Sequence, residues 1–529
     1  MNRRQFLAGA TALGTVGVLS RPALAQMGSQ SNARTLHFVP ESNLATPDPV
    51  WNVTPVTRNH GMMVWDMLYG LDANFEPQPQ MAAGHELSDD RLTWRFTLRD
   101  GLFWHDGEPV RPADCIASIV RWSKRRPLGQ RLLALAEEMK PLDDRRFEIR
   151  LKRPFAQLTR AFSEYCFMMP ERIAKTDAFS RIGEYVGSGP YRFEAQEWVS
   201  GAQAVYTRFD KYQPRNEAPS FMAGGKQVHF DRVVWHVMPD PATAAAALQS
   251  GEVDWVQQPQ FDLLPMLRGS RGVKVAVNDK VGVTGMLALN HLYPPFDNVK
   301  LRQAILSAVD QKEFVAAAVG DDPSMSRVPV GVFPPGMPMA SDAGLEALTA
   351  PRDLARSRKL VAESGYRGEP VLVMGAVDSP VTQAFAQVVA DLFQKLGLNV
   401  DYVGMDLGTL VQRRANKAPP DKGGWNAFTT TYEGLSISDP GNNIALRGNG
   451  PDAWFGWPTS RPLEELREQW FDATDEAGRR RIAAEIQRTA FQEVPFIPLG
   501  QLFYPTAFRS NVEDILPAAF PVFWNVRKV

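Results

Sequence analysis

The stretch WNAFTTTYEGLSISDPGNN, residues 425–443, gathers residue types that could hold a charged organic solute. It opens on Trp425 with aromatic and Thr residues that suit a pleated sheet. At Tyr432 and Glu433 it breaks into Gly, Ser, Asp, Pro and Asn residues that favour loops. A strand end is a rigid mount for a polar loop. Tyr432 could stack and hydrogen-bond there, and Glu433 or Asp439 could hold a cation by a charge-assisted bond. Gly441, Asn442 and Asn443 offer further donors and acceptors. The plain alternative for Asp439-Pro440-Gly441 is a turn closed by a local Asx bond. Arg447 could meet a carboxylate through its planar fork, or it could be a surface ion pair. Trp454 and Trp457 in AWFGWP could form a stacking wall, or pack in a core. Glu41, with Ser42 and Asn43, follows the strand-like TLHFV and is a further candidate for lining a cleft; a solvated loop is its bland reading.

Covalent chemistry has little support. There is no G-x-S-x-G, no G-x-x-x-x-G-K and no H-E-x-x-H. GNGPDA (448–453) imitates the start of a dinucleotide fingerprint, but it contains a proline and follows no clear strand. The seven histidines are dispersed, with no ligand pair at i, i+4. His105-Asp106-Gly107 falls in a hairpin-like turn. The sequence therefore calls for no catalytic residue, no metal ligand and no cofactor.

The elements that must position these residues alternate along the chain. LTWRFTLRDGLFWHDGEPV (92–110) reads as strand, Asp-Gly turn, aromatic strand and a second Asp-Gly turn. A helix is predicted from Arg111, and RRFEIRLKRP (145–154) is an alternating strand. RVVWHVMPD (232–240), a helix from 241 and a strand near 256 form one unit, with Gly251 as the helix stop. Residues 296–320 read as one helix, capped by Asp297 and closed by Gly320. PVLVMGA (370–376), a helix over 380–396 and LNVDYVGM form a β-α-β unit. A late helix within 480–500 ends before Pro495. The pattern predicts an α/β protein with two lobes and a cleft between them, the usual place for a ligand.

The first 25 residues have the form of a signal peptide: paired arginines Arg3 and Arg4, a short apolar run, then Ala23-Leu24-Ala25. The pair makes it a twin-arginine candidate. No Cys follows to carry a lipid, so a soluble periplasmic protein of Gram-negative type is expected. Cleavage after Ala25 would remove three arginines and no acids, taking the net charge from −1 to −4. Such a surface gives no electrostatic reason to bind nucleic acid or anionic lipid. Cys115 and Cys166 could pair in an oxidising compartment; the favoured reading is two buried free thiols.

Several stretches resemble the extracellular solute-binding proteins of ABC importers, family 5, which includes dipeptide-, oligopeptide-, nickel- and glutathione-binding proteins. They are residues 64–114, VGSGPYRFEAQEW (186–198), VMPDPATAAAALQSGEVDWV (237–256), LALNHLYPPFDNVKLRQAILSAVDQKEFV (287–315), ARSRKLVAESGY (355–366) and VPFIPLGQ (494–501). They span most of the chain in the family's order. The resemblance implies a two-lobe periplasmic binding protein of type II with an extra domain inserted in the first lobe. It places lobe I at 26–72, 186–284 and 504–529, the inserted domain at 73–185 and lobe II at 285–503. It implies capture of a short peptide or peptide-like solute by lobe closure, and no enzymatic activity. It also implies delivery to permease subunits served by a cytoplasmic ATPase, by a monomer touching the membrane complex only peripherally. Glutathione, an opine-like conjugate, a metal chelate or haem are alternative ligands; a hydrolase or chaperone is a remote reading. In the peptide binders, the stretch similar to 425–443 carries an Asp that pairs with the peptide's α-ammonium group. Here Glu433 is the nearest acid.

Overall fold

A computed structural model describes residues 34–529; the expected signal peptide lies outside the described residues. Two sheets organise the chain. The first has seven strands in the order Val273–Ala276, Thr506–Arg509, Trp255–Val256, Thr35–Val39, Arg232–His236, Gln203–Arg208 and Tyr191–Phe193. At its centre, Thr35–Val39 runs parallel to both Arg232–His236 and Trp255–Val256. The helix Pro241–Ser250 makes the crossover between those two neighbours. Asp240 caps it by accepting from the Thr243 N–H at 2.7 Å, and Gly251 stops it in the left-handed region at φ 81°.

The second sheet runs Ser326–Arg327, Phe496–Leu502, Val283–Leu289, Ala427–Glu433, Pro370–Ala376 and Asn399–Met405. Its second strand, Phe496–Leu502, is buried along its whole length, so FIPLGQL shows no polar alternation. The helix Pro380–Lys395 joins the last two strands, which pair in parallel. Residues 277–282 and 503–505 carry the chain between the two sheets. Gly434 donates to the Gly282 carbonyl at 2.8 Å. A Cβ on Gly434 would sit 2.4 Å from the Val281 side chain, so this strand end can abut the crossing only as glycine.

A four-stranded antiparallel sheet, Ala82–Leu87, Thr93–Leu98, Arg146–Leu151 and Ala136–Pro141 in that order, interrupts the first sheet between its strands Thr35–Val39 and Tyr191–Phe193. Its core of Trp94, Phe96, Phe147 and Phe162 is continuous with Ile437, Leu446, Leu463 and Trp470, which come from beside the second sheet. A buried Asp48–Arg121 pair at 2.8 Å, each side chain 1% exposed, ties this unit to the first sheet's loops. Cys115 and Cys166 are buried and unpaired. Among the described residues, no helix is long and apolar enough to cross a membrane.

Two expected elements differ. Only Thr93–Leu98 of the 92–110 hairpin is a strand; beyond it Phe103 and Pro109 make one isolated bridge, because two Asp-Gly turns leave too few residues for a ladder. The single helix expected over 296–320 is two, Val299–Leu306 and Gln311–Val319. Asn298, not Asp297, caps the first. Asp310 caps the second by accepting from the Lys312 N–H at 3.0 Å.

Candidate functional site

At the junction of the two sheets lies a cavity of about 310 Å³. Its chemistry comes from four charged side chains on four different segments. Glu41 lies just past the end of Thr35–Val39, where its backbone N–H donates to Gln257 Oε1 at 3.1 Å. Gln257 follows the parallel strand Trp255–Val256, so the cavity opens beyond the carboxyl ends of parallel strands, a common ligand position in α/β sheets. Arg58 projects from the helix Pro55–Val64, whose first position is proline. Asp279 sits in the 277–282 crossing. Glu433 closes Ala427–Glu433 opposite Val283.

Arg58 and Glu433 form an ion pair that spans the cavity from one sheet's side to the other. Arg58 also donates to Asn59 Oδ1 from Nε at 3.2 Å and from Nη2 at 3.0 Å. Its guanidinium lies 4.2 Å from the centre of the Phe520 ring, within cation–π range. Burial works against its charge, but Glu433, then Tyr165 and Glu41, outweigh that and hold its pKa above the ordinary value. Arg58 is therefore a fixed and already neutralised cation.

The two remaining acids have no such partner. Glu41 is open to solvent by area, yet protein surrounds it on the cleft side; burial, reinforced by Glu433 and opposed by Arg58, raises its carboxyl to about 7. Among the described residues its carboxyl makes no hydrogen bond or ion pair. Burial likewise raises Asp279 to about 6, although the backbone N–H groups of Gly282 and Val281 favour its ionised form. The Tyr504 phenol, on the other crossing, is pushed up to about 12 by burial and Glu41. Two carboxyls short of counter-charge, beside a third that is satisfied, make a site that gains from an incoming cation or multiple N–H donor.

Of the residues singled out from sequence, Glu41 and Glu433 meet in this cavity and the others do not. Side chains alternate along a strand; Thr431 and Glu433 face the cavity, and Tyr432 turns away to pack edge-on against Trp454 at 5.5 Å. Trp425 is fully buried against Phe428 and Trp457, with its indole N–H on the Arg414 carbonyl at 3.1 Å. It belongs to a core, as its place before a central strand requires. Asp439 is buried in the turn, accepting from the N–H groups of Gly441 at 2.9 Å and Asn442 at 3.0 Å. It also meets Arg160 of the four-stranded unit at 3.4 Å. The Asn442 amide donates to Glu164 of the same unit. The polar loop is thus spent on an internal contact. Arg447 lies apart from the cavity, and its Nε is buried without an acceptor.

Among the cavity residues not singled out from sequence are Arg58, Asp279 and Phe520. The helix start at Pro55 was a signal for Arg58. Nothing local marks Asp279 or Phe520, which reach the site only through the crossing and the returning C-terminal tail.

Two sheets joined by two crossings, with a polar cavity at the junction, define a two-lobe α/β binding protein. Residues 76–451 match the family described as bacterial extracellular solute-binding proteins, family 5 Middle. The chain belongs to that family. It is 35% identical over 531 residues to a probable peptide ABC transporter periplasmic-binding protein, y4tO, of Sinorhizobium fredii, covering all of this chain and 99% of that one. Its fold is similar to a dipeptide-binding protein from Pseudoalteromonas sp. SM9913 in complex with Met-Leu (TM-score 0.75, 18% identity, 94% of this chain and 100% of that one). It is also similar to AgaA from A. tumefaciens in complex with agropinic acid (TM-score 0.76, 19% identity, 94% and 99%).

Proposed function

We propose that the chain is the periplasmic ligand-binding subunit of an ABC importer. It captures a short peptide or peptide-like amino compound between its lobes and hands it to a membrane permease served by a cytoplasmic ATPase. The observation that carries this reading is the pair of carboxyls without a counter-charge, Glu41 and Asp279, at the interlobe cavity. They receive the ligand's ammonium group. Glu433, the nearest acid by resemblance, is engaged by Arg58 and shapes the cleft instead of meeting the ligand alone. Lobe closure supplies the capture, and no covalent step is involved. The relationship to y4tO over its full length and the fold shared with a Met-Leu complex support the peptide class.

The same reading includes residues 1–25 as a twin-arginine signal peptide and the chain as a monomer. It divides the rest into lobe I at 26–72, 186–284 and 504–529, an inserted domain at 73–185 and lobe II at 285–503. A second reading, an opine-like conjugate as ligand, draws on the fold shared with the agropinic acid complex. A thermal-shift screen of peptides, opines, glutathione and metal chelates separates the two. A ligand held at about 100 times its dissociation constant adds roughly 2.7 kcal/mol of stability. Stabilisation by peptides is expected; stabilisation by opines alone rejects the peptide class.

A further inference from the structure

A second cavity, of about 450 Å³, adjoins the first. Asn278, Leu516, Ala518 and Ala519 line both, and the 277–282 crossing divides them. Asp279 lines the first cavity, whereas Lys280 and Val281 line the second. Phe75 and Phe221 are part of the second cavity's wall. Phe75 comes from the loop joining the paired strands Tyr69–Leu71 and Pro77–Pro79. Phe221 comes from the loop between Gln203–Arg208 and Arg232–His236. The Ala73 N–H donates to Ser220 Oγ at 2.9 Å and ties the two loops together.

Both phenylalanines hold a left-handed backbone, φ 63° at Phe75 and 52° at Phe221, in a region that favours glycine. Their surroundings keep them there. The Phe75 N–H donates to the Asp72 carbonyl at 2.9 Å, and the Phe75 carbonyl accepts from Arg160 Nη1. Ser220 and Ala223 exchange two backbone hydrogen bonds of 2.9 Å around Phe221, whose own carbonyl accepts from the Trp524 indole N–H at 3.2 Å. Strain that neighbours over-determine in this way clusters at ligand clamps. The rings form a row that leads to the first cavity. Phe75 and Phe221 have centres 6.2 Å apart, and Phe221 lies 5.0 Å from Phe520, which lines the first cavity.

The two cavities differ in sign. Among the described residues the charged groups lining the second are Lys280 and Arg327, with no acid beside them. Neither makes an ion pair among the described residues. Arg327 donates to the Pro335 carbonyl at 3.2 Å and stacks 5.3 Å from the centre of the Phe503 ring. Most of the remaining wall is apolar. Such a chamber gains from an apolar or aromatic group and repels a basic one, a discrimination built from like charge as well as from contact.

We propose that the second cavity is a specificity chamber that takes a neutral apolar or aromatic side chain of the ligand and turns away lysine and arginine side chains. Phe75 and Phe221 supply the contact, and Lys280 and Arg327 supply the exclusion. The inference rests on the reading of the first cavity as the site of a peptide's ammonium group, and it narrows the ligand class to peptides with an apolar residue beside the N-terminal one.

The test presents the full chain with three pools of di- and tripeptides and reads retention by native mass spectrometry and thermal shift. Each peptide starts with Ala; the following residues are Phe or Leu in the first pool, Ser or Gly in the second, and Lys or Arg in the third. Wild type is expected to hold the apolar pool about tenfold more tightly than the Ser/Gly pool, the low end for burying one large side chain, and to hold the basic pool most weakly. Ala73→Trp fills the chamber from an exposed residue that does not line the first cavity. It should erase the apolar preference and leave the Ser/Gly pool unchanged. Should that variant not fold, Phe75→Gly keeps the left-handed turn and removes the ring, and the apolar preference should fall several-fold. Lys280→Glu should raise retention of the basic pool several-fold without changing the Ser/Gly pool. Equal retention of the apolar and Ser/Gly pools by wild type, a basic pool held as tightly as the apolar one, or a preference that survives these variants overturns the chamber alone. Retention of none of the pools overturns the peptide reading and the chamber with it.

Discussion

Glu41→Gln isolates the carboxyl that the structure leaves without a partner. If that carboxyl receives the ligand's ammonium, the variant replaces a charge-assisted bond with a neutral one. Such bonds contribute about 1.5–3 kcal/mol, so affinity should fall about 10- to 150-fold. The pH dependence is a second and sharper signature. Glu41 is raised from the ordinary carboxyl range to about 7, and the ligand needs its ionised form. At pH 6 about one-tenth of it is ionised, so wild-type affinity should fall about tenfold from its value at pH 8. In the ligand-free protein the sign is opposite. A folded pKa above the unfolded one contributes stability that is full below the unfolded pKa, and is lost as pH rises through about 7. Glu41→Gln should therefore leave the empty protein no less stable at pH 8 while weakening binding there. Isothermal titration calorimetry with a retained peptide between pH 5.5 and 8.5 reads both effects, and two buffers of different ionisation enthalpy report proton release. Any slope left below pH 6 in the variant belongs to Asp279, raised to about 6. Wild-type affinity in the variant, or a wild-type slope between pH 6 and 8, refutes the role given to Glu41.

Glu433→Gln leaves Arg58 buried with only Asn59 as acceptor, which should cost about 2–3 kcal/mol in denaturant unfolding. That is below the range for a fully buried pair, because the Glu433 side chain is 30% exposed. The same variant should shift ligand-free small-angle scattering toward a more open shape, since the pair joins the two lobes. Trp425→Ala should cost about 3–5 kcal/mol of stability with little change in the affinity of the folded fraction. Asp439→Ala should lower stability by about 1–3 kcal/mol through the lost turn and the unpaired Arg160, again sparing affinity, as titration of the folded variant will show.

The fold was largely legible. Helix stops such as Gly251, caps such as Asp240 and the apolar run of Phe496–Leu502 are local signals with local causes. The break at 307–310 was also written there. Asp310 stands three residues before Glu313, the spacing of a helix start, but the apolar stripe ran on and concealed it. The site was half legible. Glu41 and Glu433 stood out as acids at strand ends, and both line the cavity. Tyr432 and Glu433 could not share it, because adjacent strand residues face opposite ways. Asp439 and Asn442 looked like ligand groups because turn chemistry and binding chemistry use the same residue types. Their partners Arg160 and Glu164 lie more than 270 residues away, beyond any local reading. Arg58 and Asp279 likewise become site residues only when the two crossings bring the lobes together.

The most direct measurement is native mass spectrometry of the exported protein, purified gently from a periplasm and then presented with a pool of short peptides. Wild type should hold species of peptide mass, released on denaturation and carrying a free amine, and Glu41→Gln should lose most of them at pH 8. A wild-type protein that retains no peptide, or retains solutes lacking an amine equally well in both proteins, contradicts the assignment of the cleft as an ammonium-binding peptide site.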